Sequence, residues 1–248
     1  MAVGTLGAAR ATHFPESLLL EGFRLMRERL TVYFGLAALC AAAAWLVLPR
    51  IDLYSTLAQR PMALVTTPPV SVVLLLALLA LFFILPSALR RLEPTFKMTA
   101  IRIAITLATL VTVGFLTDLG YAFAVIPGIV VAVLLSQALI GALLRTRDGA
   151  TFREIGAAIV SSFRGSVSMT RTHFVTTLGV VAASLLILLV PFTVMLTTLI
   201  VLGVKVPASI VIMAPLLFLT FIYFECVRYA LIVRWYRHLA EEHPAASP

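Results

Sequence analysis

Residues 121–144 read YAFAVIPGIVVAVLLSQALIGALL. The run carries no charge, and at ~1.5 Å of rise per residue it is long enough to cross a hydrocarbon core about 30 Å thick. Yet Pro127 and Gly128, from the two poorest classes of helix former, stand side by side in its first half. Two readings are open. The pair can mark a discontinuity inside a membrane span. Alternatively the ordered helix starts near Ile126, and Pro127 falls in a first turn that needs no N–H. Gly128 then opens a small-residue face with Ala132 and Ser136, along which a neighbouring backbone can approach. The second reading predicts one helix over 126–144.

Composition agrees with the apolar run. The 248 residues are 61% hydrophobic and 12% charged, with a mean hydropathy of +1.08. Soluble domains are about 45–50% apolar and ~25% charged. A chain this apolar takes lipid as its solvent, where only helices and closed barrels satisfy every backbone polar group. Period-2 alternation is absent, so the expected fold is all-α: a polytopic transmembrane helical bundle with two interfacial amphipathic helices. Cys40 and Cys226 lie in or beside apolar segments and suggest neither a disulfide framework nor a metal site. Glu16, Glu21 and Glu28 interrupt any signal-peptide core, so the first membrane helix is expected to serve as the targeting signal.

Six spans are expected, near 31–48, 66–88, 99–117 and 121–144, and within 174–203 and 207–234. Pro68-Pro69 suit the first turn of the second, Pro191 predicts tilt or a kink in the fifth, and TDLG (117–120) is expected to be the tight turn between the third and fourth. This gives a cytoplasmic segment over 1–30, a six-span domain over 31–238 and a tail over 239–248. Basic residues set the orientation. Arg10, Arg24, Arg27 and Arg29 precede the first span; Arg90, Arg91, Lys97 and Arg102 follow the second. Arg145, Arg147, Arg153, Arg164 and Arg171 follow the fourth, and Arg228, Arg234 and Arg237 close the chain. Arg50, Arg60 and Lys205 fall on the other side. Both termini are therefore expected in the cytoplasm, with Arg102 snorkelling from the end of its span. The net charge of +8 is a topology signal that favours anionic lipid; it does not point to nucleic acid.

The two amphipathic segments both fall on that basic side. In PESLLLEGFRLMRERL (15–30), Leu18, Leu19, Phe23, Leu25, Met26 and Leu30 share a face opposite Glu21, Arg24, Arg27 and Glu28. In TFREIGAAIVSSFRGSVSMTRTHF (151–174), Thr151 and Glu154 have capping-box spacing after an Asp148-Gly149 turn. Phe152, Ile155, Gly156, Ile159, Val160, Phe163 and Val167 then form an apolar arc opposite Arg153, Glu154, Ser161, Arg164, Gly165 and Ser168. A surface-lying connector and a mobile docking helix both fit that pattern.

Chemistry is sparse. His13, His173, His238 and His243 do not pair with Cys, Asp or Glu at metal-ligand spacing inside a span. No nucleophile elbow, zinc-protease, phosphate-loop or dinucleotide motif is present. Glu225 and Arg228, three apart, read as a local ion pair. Thr99, Arg102, Thr106, Thr109 and Thr117 fall within about a quarter of the helical wheel. That stripe suits interhelical packing, or else a hydroxyl-lined conduit. No catalytic residue, cofactor or metal is expected.

In this layout the chain resembles the six-span bacterial family that includes YciC-like envelope proteins and the membrane domain of some glycerophosphodiester phosphodiesterases. The resemblance rests on Pro127-Gly128 in the hairpin, on Ser166, Met169, Arg171 and Phe174 closing the amphipathic segment, and on Tyr223, Glu225 and Arg228 in the last helix. Gln137 and Gly141 depart from it, standing where larger aliphatic residues are expected, and these residues include no phosphodiesterase domain. The resemblance implies a bacterial inner-membrane module linked to envelope maintenance or lipid handling, without catalytic residues to carry over. The expected function is a non-catalytic accessory, scaffold or lipid-interacting protein. A transporter or channel for a small or lipid-like substrate, and a small structural subunit that binds other membrane proteins, are the alternatives.

Overall fold

The computed structural model describes residues 14–47, 82–146, 150–205 and 209–243. It is all-α, 89% helical and without strands among the described residues. Eight helices are named here: α1 (Phe14–Glu28), α2 (Leu30–Val47), α3 (Ala100–Phe123), α4 (Val125–Leu135), α5 (Ala138–Arg145), α6 (Phe152–Thr172), α7 (Phe174–Lys205) and α8 (Ser209–Glu242). A further helical stretch covers 82–89. Among the described residues, four helical segments are long and apolar enough to cross a membrane: Ala100–Phe123, Val125–Arg145, Phe174–Pro191 and Met213–Glu242. They correspond to the expected third to sixth spans. The first expected span falls on α2, an uncharged apolar helix of 18 residues. Most of the second expected span, with Pro68-Pro69, lies outside the described residues, as do Arg10, Arg50, Arg60, Arg147 and the Asp148-Gly149 turn.

The chain divides into two compact units. Unit 1 comprises Met1–Ala88 and Leu186–Ala230; unit 2 comprises Leu89–Leu185 and Leu231–Pro248. In unit 1, α1 seats Leu18, Gly22 and Leu25 inward and leaves Leu19, Leu20 and Phe23 exposed. Gly22 permits the seat: a Cβ there would lie 3.0 Å from the Cα of Val227 on α8. The Tyr223 hydroxyl donates to the Leu19 carbonyl at 3.4 Å. Half of the expected apolar face is thus used for packing and half faces outward.

Unit 2 contains the α3–α4 hairpin, and its turn is not where the sequence places it. TDLG (117–120) is helical; α3 runs on to Phe123 and a single extended residue, Ala124, reverses the chain. Neither Thr117 nor Asp118 breaks the helical ladder, and the Ala124 N–H still bonds the Gly120 carbonyl at 3.2 Å. Gly120 serves instead as the contact point of the hairpin, since a Cβ there would come within 2.9 Å of the Gly128 Cα. α4 starts at Val125, so Pro127 sits in the first turn, where its missing N–H leaves no bond unmade.

The expected single helix over 126–144 is interrupted, though not at the Pro-Gly. α4 ends at Leu135 and α5 begins at Ala138, with Ser136 and Gln137 between them. Ser136 turns its hydroxyl to its own helix, donating to the Val133 carbonyl at 2.8 Å, and its N–H takes the same acceptor at 3.3 Å. The ladder tightens and stops. α5 restarts with the Gly141 N–H on the Gln137 carbonyl at 3.1 Å.

α6 opens with the capping box read from sequence. The Glu154 carboxylate accepts from the Thr151 N–H at 2.6 Å, and the Glu154 N–H donates to the Thr151 hydroxyl at 3.4 Å. α7 continues through Pro191. α8 runs past 238 to Glu242, so the start of the expected tail is helical.

Candidate functional site

A buried polar constellation surrounds the interruption in unit 2. It arises because α6 presents a stripe of small and hydroxyl-bearing residues (Ser162, Gly165, Ser166 and Thr170), with Met169 among them and all buried, to α4 and α5. At ~100° per residue that stripe lies roughly a quarter-turn from the apolar arc identified in the sequence. The apolar stripe stays outward, with Val160 50% and Val167 36% exposed against 0% for Ser166. Arg153, Arg164 and Arg171 are exposed along the far flank of the apolar stripe. The helix therefore has three stripes, where the sequence suggested two.

Ser166 repairs the interruption. Its hydroxyl donates to the Leu134 carbonyl at 2.6 Å and accepts from the Gln137 N–H at 3.3 Å. Leu134 belongs to the last turn of α4, whose carbonyls lack partners within their own helix. The Thr170 hydroxyl lies 2.7 Å from the Ser166 carbonyl and 3.3 Å from that of Leu134, and the shorter contact takes its single proton. Gln137 is 1% exposed. Its Nε2 reaches the Ser136 hydroxyl at 3.5 Å, while its Oε1 finds no hydrogen-bond partner among the described residues. One turn on, a Cβ at Gly141 would sit 3.4 Å from the Ser162 Cβ. Gln137 and Gly141 thus both lie against α6.

Arg102 does not snorkel. It is 6% exposed, and its guanidinium donates to the Lys97 carbonyl at 2.7 Å and to the Thr146 carbonyl at 3.0 Å. The fork matches two backbone acceptors, one of them just past the negative end of α5. It also lies over the Phe96 ring, 4.4 Å from the centroid. The Thr99 hydroxyl caps α3 by accepting from the Arg102 N–H at 3.5 Å. Thr106 bonds back to the Arg102 carbonyl at 2.8 Å, and Thr109 is fully buried. The threonine stripe faces the packed side of α3.

Other residues singled out from sequence fall elsewhere. Gly128 packs under the Tyr121 ring; Ala132 on α4 and Ser136 just past its end are half-buried. Arg171 is exposed near the end of α6, and Phe174, half-buried, begins α7. Glu225 and Arg228 belong to unit 1. Arg228 Nη2 lies 2.7 Å from Glu225 Oε2 and its Nε 3.2 Å from Oε1, a two-point ion pair with the carboxylate 2% exposed. Sequence reasoning missed the roles of Thr170 and Thr146. It noted Gln137 only as a departure, although a lone amide within an uncharged membrane run was the available signal.

The described residues are all-helical, and four of their segments are long and apolar enough to span a membrane, consistent with a multi-pass membrane protein. No family model, curated protein or solved structure matches the chain.

Proposed function

We propose that this is a non-catalytic, six-span protein of the bacterial inner membrane, with both termini cytoplasmic, that acts as an accessory or scaffold component handling anionic lipid in envelope maintenance. The YciC-like resemblance is part of this proposal. The observation that carries it is the division of α6 into stripes. A helix held to its neighbours by hydroxyls and glycine, with its apolar stripe outward and arginines along one flank, suits the lipid–water boundary. Phe163, Arg164, Val167, Ser168, Arg171 and Thr172 border a shallow open depression of roughly 690 Å³, which combines apolar wall with two cations. That chemistry fits an acyl chain and a phosphate headgroup.

Native mass spectrometry of the protein released from mixed anionic and zwitterionic nanodiscs tests this reading. Retained phosphatidylglycerol or cardiolipin should fall in Arg164→Gln/Arg171→Gln. At ~1 kcal/mol per basic residue near an anionic surface, the double variant should lose roughly 30-fold in relative retention. Equal retention by variant and parent, or turnover of a lipid or phosphodiester by the purified protein, would overturn the reading.

One observation favours a second reading, a transporter. An interrupted span with a buried, half-satisfied amide is how such proteins build substrate sites. Flux of a small polar solute into proteoliposomes, abolished in Gln137→Leu and in Thr106→Val/Thr109→Val, would support it. Absence of flux across a panel of such solutes, or unchanged flux in both variants, counts against it.

A further inference from the structure

Three imidazoles gather around one carboxylate where α6 ends and α8 ends, all within unit 2. His173, the C-cap residue of α6, places Nε2 2.6 Å from Glu242 Oε2. His238, one turn before Glu242 on α8, places Nε2 3.4 Å from Glu242 Oε1. His243 adds its ring 5.8 Å from that of His173, nearly perpendicular to it. The ligand-capable atoms of His173, Glu242 and His243 all lie within 4.8 Å of one another. The sequence hides this set, because His173 is remote in the chain from the other two.

We propose that His173, Glu242 and His243 bind a first-row divalent metal ion of the Zn²⁺ type. Two neutral imidazoles and one carboxylate are a recurrent donor set for such ions, and they leave a coordination position open. Donor atoms sharing a tetrahedral ion at Zn–N and Zn–O lengths of about 2.0–2.2 Å stand roughly 3.3 Å apart. The close His173–Glu242 contact opens, and the widest separation closes, by side-chain rotation at partly exposed residues. The tautomer of His243 is set from outside the cluster: Nδ1 faces the Leu239 carbonyl at 3.3 Å and donates its proton there. Nε2 then carries the lone pair, now directed toward the Thr172 hydroxyl at 3.1 Å. A ring N–H held by a backbone carbonyl is the usual outer partner of a metal-bound histidine. Trp235 lies against His238 with centroids 5.1 Å apart, and its Nε1 donates to the Thr177 hydroxyl at 3.2 Å, which fixes one wall. His238 stands beside the second carboxylate oxygen. A bound ion would tie the end of α6 to the end of α8.

The test uses the full chain, free of any affinity tag, in detergent or nanodiscs. Titration with Co²⁺ should give the visible d–d bands of a low-symmetry site saturating at one ion per chain, and Zn²⁺ should displace them. Removing a ligand should weaken the affinity by about 100-fold or more, since even outer-shell losses reach ~10–100-fold. His173→Ala and His243→Ala should therefore lose the bands, and Glu241→Gln should keep them. His173→Gln retains an N–H donor for Glu242 and guards against a folding artefact: it should melt like the parent without metal, yet lack the metal-dependent rise in Tm. Co²⁺ binding that survives both histidine variants, or a parent protein that takes up no more Co²⁺ than His173→Ala, would overturn the proposal.

Discussion

At Gly120 and Gly128 a missing side chain decides where the chain can turn. A Cβ on Gly120 would meet backbone, the Gly128 Cα at 2.9 Å, whereas a Cβ on Gly128 would meet the Tyr121 ring at 2.3 Å. Backbone cannot step aside, but the Tyr121 ring, 46% exposed, can rotate away. Gly120→Ala should therefore destabilise by about 1–3 kcal/mol, the overpacking range, and Gly128→Ala by less. Thermal melts of the two variants in one detergent give the ranking; a reversed order would refute this account of the hairpin. Ser166 and Thr170 allow a similar contrast. The Ser166 hydroxyl serves a carbonyl and an N–H at the interruption, so Ser166→Ala should cost about 2 kcal/mol. Thr170 gives its proton to its own helix, so Thr170→Val should cost less, near the low end of the ~0.5–1.5 kcal/mol net value of a hydrogen bond. Arg102 offers the third case. Arg102→Lys should not restore the stability lost in Arg102→Gln, because an ammonium lacks the planar fork that spans the Lys97 and Thr146 carbonyls.

At the level of elements, the interruption between α4 and α5 and the three-striped α6 form one device. Gly141 lets α6 approach, and the hydroxyl stripe repairs the backbone there. A leucine at 141 would collide with Ser162 and lift α6 from its seat. Gly141→Leu should therefore expose Ser162 and Ser166 together, read as faster labelling of cysteines placed at those positions. If only the site beside the substitution changes, α6 is not seated as a unit. Much of this was legible in sequence: the length of the apolar runs, the capping box at Thr151 and Glu154, and Pro127 as a first-turn residue. The rest was not, for a physical reason. Helix breaks and buried cations depend on partners remote in the chain, such as Ser166 for Gln137 and Thr146 for Arg102. Periodicity reports which face is apolar, but it does not say which face finds a neighbour. On α6 the packed stripe is the small polar one.

For the whole molecule, the proposal places α6 at the cytoplasmic membrane surface, with its arginines at the headgroups. Cys40 and Cys226, both buried, can be replaced by serine to give a background for single-cysteine mapping of the six proposed spans. Labels at Arg60 and at the termini should react from opposite sides of the inner membrane. The most direct test of the central claim is a nitroxide scan of positions 158–171 in anionic nanodiscs, with collision rates read against oxygen and against a water-soluble chromium complex. The account predicts oxygen maxima at Val160 and Val167, chromium maxima at Arg164 and Arg171, and protection from both reagents at Ser162, Ser166 and Thr170. Oxygen maxima at Ser162 and Ser166, with Val160 and Val167 protected, would contradict it.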